Sequence, residues 1–172
     1  MPKTTQDGRQ KMEAPSQFHE LDEMDQAILR ELQGEARISN AELARRIHLS
    51  QPALHSRIRR LERRGFIRRY AALLDREMLG FDLLCFIHVR LQLHQYDQMD
   101  AFRRSIVALP QVLECHHVTG EYDYLLKVAV RNRKELEHLV IHKLMPIHGV
   151  AHIQTSLVFA EVKNTTELPI DS

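Results

Sequence analysis

Nine arginines lie between Arg45 and Arg69, in a segment that contains a single acid, Glu62. The segment has a formal charge of +8, and since the whole chain has +1, the remaining residues sum to −7. Arginine binds phosphate through two parallel hydrogen bonds and reads guanine edges with the same geometry. A solvated charged surface is the alternative explanation of such a run. Its concentration on one helical segment favours nucleic-acid binding.

Two short helices are predicted to position these arginines. Ser39, followed three residues later by Glu42, has the pattern of a capping box that opens the first helix. Ser50 is the predicted cap of the second helix, which ends at Gly65. An apolar stripe at helical spacing along the second helix consists of Leu54, Ile58 and Leu61. Two helices joined by a tight turn, the second apolar on one side and cationic on the other, predict a helix-turn-helix.

The second helix is predicted to enter the major groove of double-stranded DNA. Arg57 lies closer to the buried stripe than the other arginines, so it could brace the helix or reach a phosphate. Arg68 and Arg69 follow in an apparently extended segment, which predicts a wing that contacts the DNA backbone. The predicted DNA-binding residues are Ser50, Gln51, His55, Ser56, Arg57, Arg59, Arg60, Arg63, Arg68 and Arg69.

Composition and periodicity divide the chain into five parts. We expect a flexible N-terminal arm over residues 1–18 and a winged helix-turn-helix domain over 19–71, in which a helix over 21–33 precedes the other two. A linker over 72–81 leads to an αβ-sandwich domain over 82–163, and a polar tail over 164–172 ends the chain.

The second half alternates between strand and helix patterns. Strands are predicted at 83–93, 112–118, 122–130 and 150–162, with helices at 96–109 and 134–145. The order βαββαβ is that of the ferredoxin-like fold, so the whole chain is predicted to be α+β. The sheet face opposite the helices retains Leu84, Phe86 and Leu125. These side chains are too apolar to face water, which predicts that a second subunit covers them.

Other functional classes find little support in the sequence. Cys85 and Cys115 lie in apolar runs and are predicted to be reduced, buried thiols of a cytoplasmic protein. No apolar run is long enough to span a membrane, and no G-x-S-x-G or Walker motif indicates an enzyme. His138 and His142 have a spacing that could hold a metal, but no third ligand is evident, and no cofactor is expected. Surface or interface histidines, which could tune assembly with pH, are the alternative.

Three stretches together resemble the Lrp/AsnC (leucine-responsive, or feast/famine) transcription regulators. They run over residues 21–32, 37–67 and 114–128, and the resemblance extends from about Leu21 to Lys163. It implies a winged helix-turn-helix joined to a ligand-binding αβ-sandwich that dimerises and assembles further, commonly to octamers. It also implies an effector, an amino acid or a related small molecule, that changes assembly or DNA affinity.

The same resemblance implies that the effector binds between dimers, at the loop and strand over 119–123, with help from the last strand. Gly120 would permit close approach of a ligand carboxylate, and Asp123 could accept from an α-ammonium group. Alternatively, the glycine only forms a turn and the carboxylate is solvated. The candidate effector-binding residues are Thr119, Gly120, Tyr122, Asp123, Gln154, Thr155 and Ser156.

Three further alternatives stay open at this point. Haem-biosynthesis decarboxylases, which bind tetrapyrroles, resemble the same two-domain family, but they need not keep the dense arginine of the second helix. An effector-independent regulator or architectural DNA-binding protein is also compatible with the sequence. A ligand-sensing module without DNA binding is disfavoured, because the helix-turn-helix is complete.

Overall fold

The computed structural model describes residues 21–92 and 96–170. The predicted N-terminal arm over 1–18 lies outside these residues. The described residues form two compact units. One unit consists of 21–72 together with 165–170, and the other extends from Leu73 to Asn164. The chain therefore passes from one unit to the other twice, once at 72–73 and once at 164–165.

The N-terminal unit is a bundle of three helices. These are α1 (Glu23–Gly34), α2 (Asn40–Arg46) and α3 (Gln51–Arg63). The predicted apolar stripes meet in one core, as expected for helices that each bury one side. Its buried side chains are Ile28, Leu43, Ala44, Ile47, Leu54, Ile58 and Leu61.

The predicted starts of α2 and α3 are confirmed by their caps, whereas α1, predicted over 21–33, begins at Glu23 after an Asp22 cap. The Ser39 hydroxyl accepts from the backbone N–H of Glu42 at 3.1 Å, and the Ser50 hydroxyl accepts from that of Ala53 at 3.4 Å. Gly65 follows the end of α3 with φ of +79°, a conformation that glycine adopts without steric cost. Capping therefore sets where the second helix of the predicted helix-turn-helix begins and ends.

The C-terminal unit contains one antiparallel sheet of four strands. They are β1 (Leu83–Leu91), β2 (Val112–His117), β3 (Tyr124–Val130) and β4 (Val150–Leu157), in the spatial order β2-β3-β1-β4. Every neighbouring pair is antiparallel. This topology confirms the predicted ferredoxin-like arrangement and, with the helical unit, the α+β class.

Two helical segments cover one face of the sheet. These are α4 (Tyr96–Val107) and α5 (Arg133–His138), and α5 continues into a π-helical segment, Leu139–Leu144. The Phe102 ring of α4 packs 4.6 Å from the Tyr124 ring of β3, centroid to centroid. The predicted single α-helix over 134–145 is thus α-helical only in its first part.

The last strand is shorter than predicted. β4 ends at Leu157, and the prediction that it continues to residue 162 is wrong. Val158 and residues 160–164 instead line a groove together with Leu84 and Phe86, on the sheet face opposite the helices. Leu84 is 3% exposed, so the chain's own C-terminal segment covers it without a second subunit. Phe86 and Leu125 stay half-buried on that face.

The two cysteines have different surroundings. Cys85 lies in β1, a central strand, and is buried, as predicted. Cys115 is exposed, so the prediction of a second buried thiol is wrong. The reason is that β2 is an edge strand, which has a neighbouring strand on one side only.

In the part of the chain that the structure describes, no helix combines the length and the apolar character needed to cross a bilayer.

Candidate functional site

One side of α3 is open to solvent along its length. Of the predicted DNA-binding residues, all those outside the pair Arg57 and Arg60 are exposed. The exposed set consists of Ser50, Gln51, His55, Ser56, Arg59, Arg63, Arg68 and Arg69. Because Leu54, Ile58 and Leu61 bury the opposite side, α3 presents one polar and cationic surface.

Arg57 and Arg60 belong to an ion cluster that surrounds the buried Asp25 and joins α3 to α1. Asp25 is the buried member, with a side chain that is 1% exposed. Its Oδ1 accepts from Arg57 Nη1 at 2.9 Å, and its Oδ2 accepts from Arg60 Nη2 at 2.6 Å. Arg57 Nη1 also donates to Asp22 Oδ2 at 2.6 Å, where the acid is half exposed. We call these four residues the Asp25 clamp.

The Asp25 clamp restrains the helix that carries the exposed arginines. Arg57 and Arg60 are one turn apart on α3, and each carboxylate oxygen of Asp25 accepts a hydrogen bond from one of them. A buried carboxylate without a partner would cost several kcal/mol, so both arginines are strongly held in place. The hydrogen bond from Arg57 lowers the pKa of Asp22, and the bond to Asp22 raises the pKa of Arg57. These two arginines therefore brace the helix.

A second group of ion pairs joins α2 to α1. Arg46 donates to Glu31, Glu35 and Glu42 over distances of 2.9 to 3.2 Å. Arg45 also binds Glu42, and hydrogen bonds from these two arginines lower the pKa of that carboxyl.

The charge count of the segment is changed by the acids that the fold brings to it. Arg45, Arg46, Arg57 and Arg60 bind carboxylates that all lie outside the +8 segment, namely those of Asp22, Asp25, Glu31, Glu35 and Glu42. Over residues 21–72, eleven arginines stand against seven acids, which gives +4. Among the described residues, Arg59, Arg63, Arg68 and Arg69 make no ion pair. The cationic surface available to a ligand therefore consists chiefly of these four.

The segment after α3 turns at 64–67 and then has no regular secondary structure, so the described residues there form no wing strand. Its Tyr70 hydroxyl donates to Glu62 Oε1 at 3.1 Å, and burial, followed by this bond, raises the pKa of Tyr70 to about 12. The Arg64 guanidinium lies 5.1 Å from the centre of the Phe66 ring. These contacts hold the segment near the end of α3, and Arg68 and Arg69 stay exposed.

The second candidate site is the turn between β2 and β3. Asp123 anchors it: its backbone N–H donates to the Val89 carbonyl at 2.9 Å, and its Oδ2 accepts from the Leu91 N–H at 2.7 Å. Its carbonyl also accepts from the Val118 N–H at 2.9 Å. The alternative that this carboxylate is simply solvated is therefore wrong. Any ligand ammonium would share it with β1.

Tyr122 and Gln154 are brought together from separate elements. The Tyr122 hydroxyl donates to Gln154 Oε1 of β4. The Tyr122 ring also lies 5.1 Å from that of His88 and 6.1 Å from that of His152, measured between centroids. We call these four residues the Tyr122 cluster. It lies on the sheet face opposite the helices.

The remaining effector candidates are less closely grouped. Thr119 and Gly120 are exposed at the tip of the turn, where Gly120 has φ of +119° and open space around it. Ser156 pairs with Phe86, which places it on the same face as the Tyr122 cluster. Thr155 pairs with buried Ile87 and so belongs to the opposite face.

The effector-binding residues inferred from the family resemblance did not include two members of the Tyr122 cluster, His88 and His152. The strand pattern contained a signal for one of them, since the alternating face of β1 becomes polar at His88, Arg90 and Gln92. In the register of β1 with β4, Arg90 lies opposite His152 and His88 lies opposite Gln154, so the two pairs are neighbours on one face of the sheet. Pairing between distant strands, which the pattern of one strand does not contain, completes the group.

The two histidines considered for metal binding lie close together, but no third ligand joins them among the described residues. The His138 and His142 rings lie 5.0 Å apart, centroid to centroid. Within the described ranges, no cluster of three or more histidine, cysteine or acidic side chains has the geometry to hold a metal ion.

Two family models match the chain, one for each unit. The model described as winged helix-turn-helix DNA-binding matches residues 21–68, and the one described as Lrp/AsnC ligand binding domain matches residues 84–168. Together they cover both candidate sites.

Known Lrp/AsnC regulators are similar to this chain over most of its length. Leucine-responsive regulatory proteins of Escherichia coli K12 and Salmonella typhimurium are each 40% identical over 151 residues, which is 88% of this chain and 92% of theirs. A transcriptional regulator of Neisseria meningitidis, solved in complex with L-Met, is 38% identical with a TM-score of 0.84 over 88% of this chain and 97% of its own. Escherichia coli AsnC is 28% identical with a TM-score of 0.79, covering 86% and 97%.

The Asp25 clamp predicts unequal effects of two matched substitutions. Asp25→Asn removes a buried charge that two arginines share, so the free energy of opening α1 and α3 should fall by about 1.5 to 3 kcal/mol. Asp22→Asn keeps a helix cap and removes an exposed pair, so the loss should stay below about 1 kcal/mol. Amide hydrogen exchange in the full-length protein measures both values. Equal losses would contradict a dominant role for Asp25.

The clamp also predicts a pH dependence. The hydrogen bond from Arg57 lowers the folded pKa of Asp22 below its ordinary value of 3.8, so the ion pair contributes fully above that pH and is lost as pH falls through the folded pKa. Asp22→Asn should therefore make the opening free energy of α1 less sensitive to acid below pH 3.8. Hydrogen exchange at a series of pH values tests this, and parallel profiles for the two proteins would contradict it.

Proposed function

The chain belongs to the Lrp/AsnC family of transcription regulators, and from this membership we propose how its two sites divide the work. It is a DNA-binding regulator with a ligand-binding domain. We propose that α3 and the segment after it read an operator in double-stranded DNA, in the cytoplasm. We also propose that an amino acid bound near residues 119–123 changes that affinity or the assembly state.

The observation that carries the DNA-binding proposal is the separation of the arginines into two sets. Arg57 and Arg60 hold α3 on the bundle, while Arg59, Arg63 and the pair after α3 stay exposed and make no ion pair with described residues. A restrained helix with unpaired guanidinium groups can enter the major groove without first breaking its own contacts.

The effector proposal depends on the turn and the Tyr122 cluster. Asp123 fixes the base of the turn, while Gly120 leaves open space at its tip for a ligand carboxylate. Tyr122 and Gln154 offer an adjacent hydroxyl and amide on the same face. Because one relative was solved in complex with L-Met and others are named leucine-responsive, these two amino acids are the first probes.

We propose further that the chain forms a homodimer that assembles to higher oligomers, with the octamer as the form that family membership implies. Phe159 and Val162, on the segment that covers Leu84, are almost fully exposed. Phe86 and Leu125 lie half-buried on the same face. Apolar side chains exposed in this way are typical of subunit interfaces. A dimer would also supply two readers for a two-fold operator.

Arg59→Ala should weaken operator binding by about 1 to 3 kcal/mol, with little change on random DNA, if the side chain reads a base. If it contacts a phosphate, both affinities should fall together and the slope of log affinity against log salt should decrease by about 0.9. Electrophoretic mobility shift or anisotropy titrations at several salt concentrations separate the two cases.

The matched control is Arg104→Ala, which removes an exposed arginine from the ligand-binding domain. It alters net charge equally but should leave DNA affinity unchanged. A wild-type affinity that is flat between low and physiological salt would contradict the electrostatic role of the exposed arginines.

Tyr122→Phe should weaken effector binding about threefold to tenfold, since it deletes one hydroxyl near the proposed ligand. Tyr70→Phe is the control, because it removes a hydroxyl that donates to Glu62 in the other unit. Isothermal titration with each of the twenty amino acids, L-leucine and L-methionine first, measures both. No heat from any of them would contradict an amino-acid effector.

A further inference from the structure

The C-terminal tail, as far as residue 170, contacts the first helix of the DNA-binding unit. The Leu168 N–H donates to Gln33 Oε1 at 2.7 Å, and the Leu168 carbonyl accepts from Gln33 Nε2 at 3.2 Å. The carbonyl of Ile170 also accepts from Arg30 Nη1 at 3.4 Å. One glutamine thus binds both polar groups of a single tail residue, much as a neighbouring strand would.

These contacts recognise the backbone of the tail rather than its side chains. Leu168 is 72% exposed, so the contact buries little of its apolar surface. Arg30 and Gln33 are three residues apart and lie on the same side of α1. A few partly exposed hydrogen bonds give a weak contact, which can open and close without unfolding the bundle.

The helix that holds the tail also holds the DNA-reading helix. Asp25, in the first turns of α1, binds Arg57 and Arg60 of α3. Gln33 is in the last turn of the same helix. A force on the tail would therefore reach α3 through one helix and the Asp25 clamp.

The other end of the tail starts from a segment fixed to the ligand-binding unit. The Val158 N–H donates to the Leu84 carbonyl at 2.9 Å, and Glu161 Oε2 accepts from Arg76 Nε at 3.5 Å. Arg76 lies just after the first passage of the chain between the units, at 72–73, and donates to the Phe81 carbonyl at 2.9 Å. The two connecting segments are thus joined to each other on the ligand-binding side.

We propose that residues 165–170 form a second, releasable tether between the two units. When the tail is docked on Arg30 and Gln33, the DNA-binding unit (the reader) is connected to the ligand-binding unit at two points instead of one. This restricts the separations and rotations that the readers of a dimer can adopt. Release of the tail leaves the linker as the single connection. The inference rests on the proposed function only for its DNA readout.

Docking is tested by amide hydrogen exchange of residues 165–170 in the full-length protein. Gln33→Ala, which deletes two hydrogen bonds, should raise exchange of the tail about fivefold or more. Gln26→Ala is the control, since Gln26 lies two turns earlier on the same side of α1. Leu168→Pro removes the backbone donor and should act like Gln33→Ala, whereas Leu168→Ala should not.

The consequence of docking is tested on DNA with two half-sites. Insertion of half a helical turn between them should weaken binding of the wild-type protein strongly, because docked readers cannot follow the change. Gln33→Ala and removal of residues 165–172 should reduce this penalty about threefold or more, without changing affinity for a single half-site. A purely structural contact would not alter spacing tolerance.

Three results would overturn the tether. They are a wild-type tail that exchanges as fast as a free peptide, loss of tail protection with an unchanged spacing penalty, and protection that disappears on dilution, which would assign the tail to a second copy. Failure to bind any operator would count against the proposed function, while the exchange measurement would still test docking.

Discussion

The buried carboxylate of Asp25 is the interaction on which the geometry of the DNA-reading helix depends. Apolar packing of Leu54, Ile58 and Leu61 in the bundle core already limits rotation of α3 about its own axis. Two arginines on adjacent turns, bound to the two oxygens of one buried carboxylate, add a second, directional restraint. Since a buried charge is tolerated only when it is paired, the helix cannot turn without a large cost. The direction in which Gln51, His55 and Arg59 point follows from this constraint.

An aspartate has a comparable role in the ligand-binding domain. Asp123 joins the turn between β2 and β3 to the central strand β1 through both backbone and side chain. The turn therefore has a fixed base and an exposed tip, which suits a binding loop on a rigid scaffold. The same strand contributes His88 to the Tyr122 cluster. A ligand at the tip would act directly on the strand that runs through the centre of the sheet.

The arginines of the DNA-binding unit fall into two groups, those that hold its helices together through ion pairs and those that stay exposed for contact with DNA. Arg45 and Arg46 are neutralised by acids of α1 and α2, and Arg57 and Arg60 by Asp22 and Asp25. What stays exposed is a smaller set of guanidinium groups around α3. A protein with fewer free cations binds nonspecific DNA less strongly, because that affinity grows with the number of phosphate contacts. More of its affinity can then depend on base contacts.

Local patterns in the sequence were sufficient to predict the three helices of the N-terminal unit, the caps at Ser39 and Ser50, and the order of strands, because periodicity and capping involve residues close together in the chain. They could not show that Arg60 binds an acid 35 residues away, since such a pair exists only after α1 packs on α3. They also misjudged Cys115 and Leu84. An apolar run does not tell whether its strand lies at a sheet edge, or which later segment covers it. Tertiary structure decided these points, because burial and ion pairing depend on neighbours that are remote in sequence.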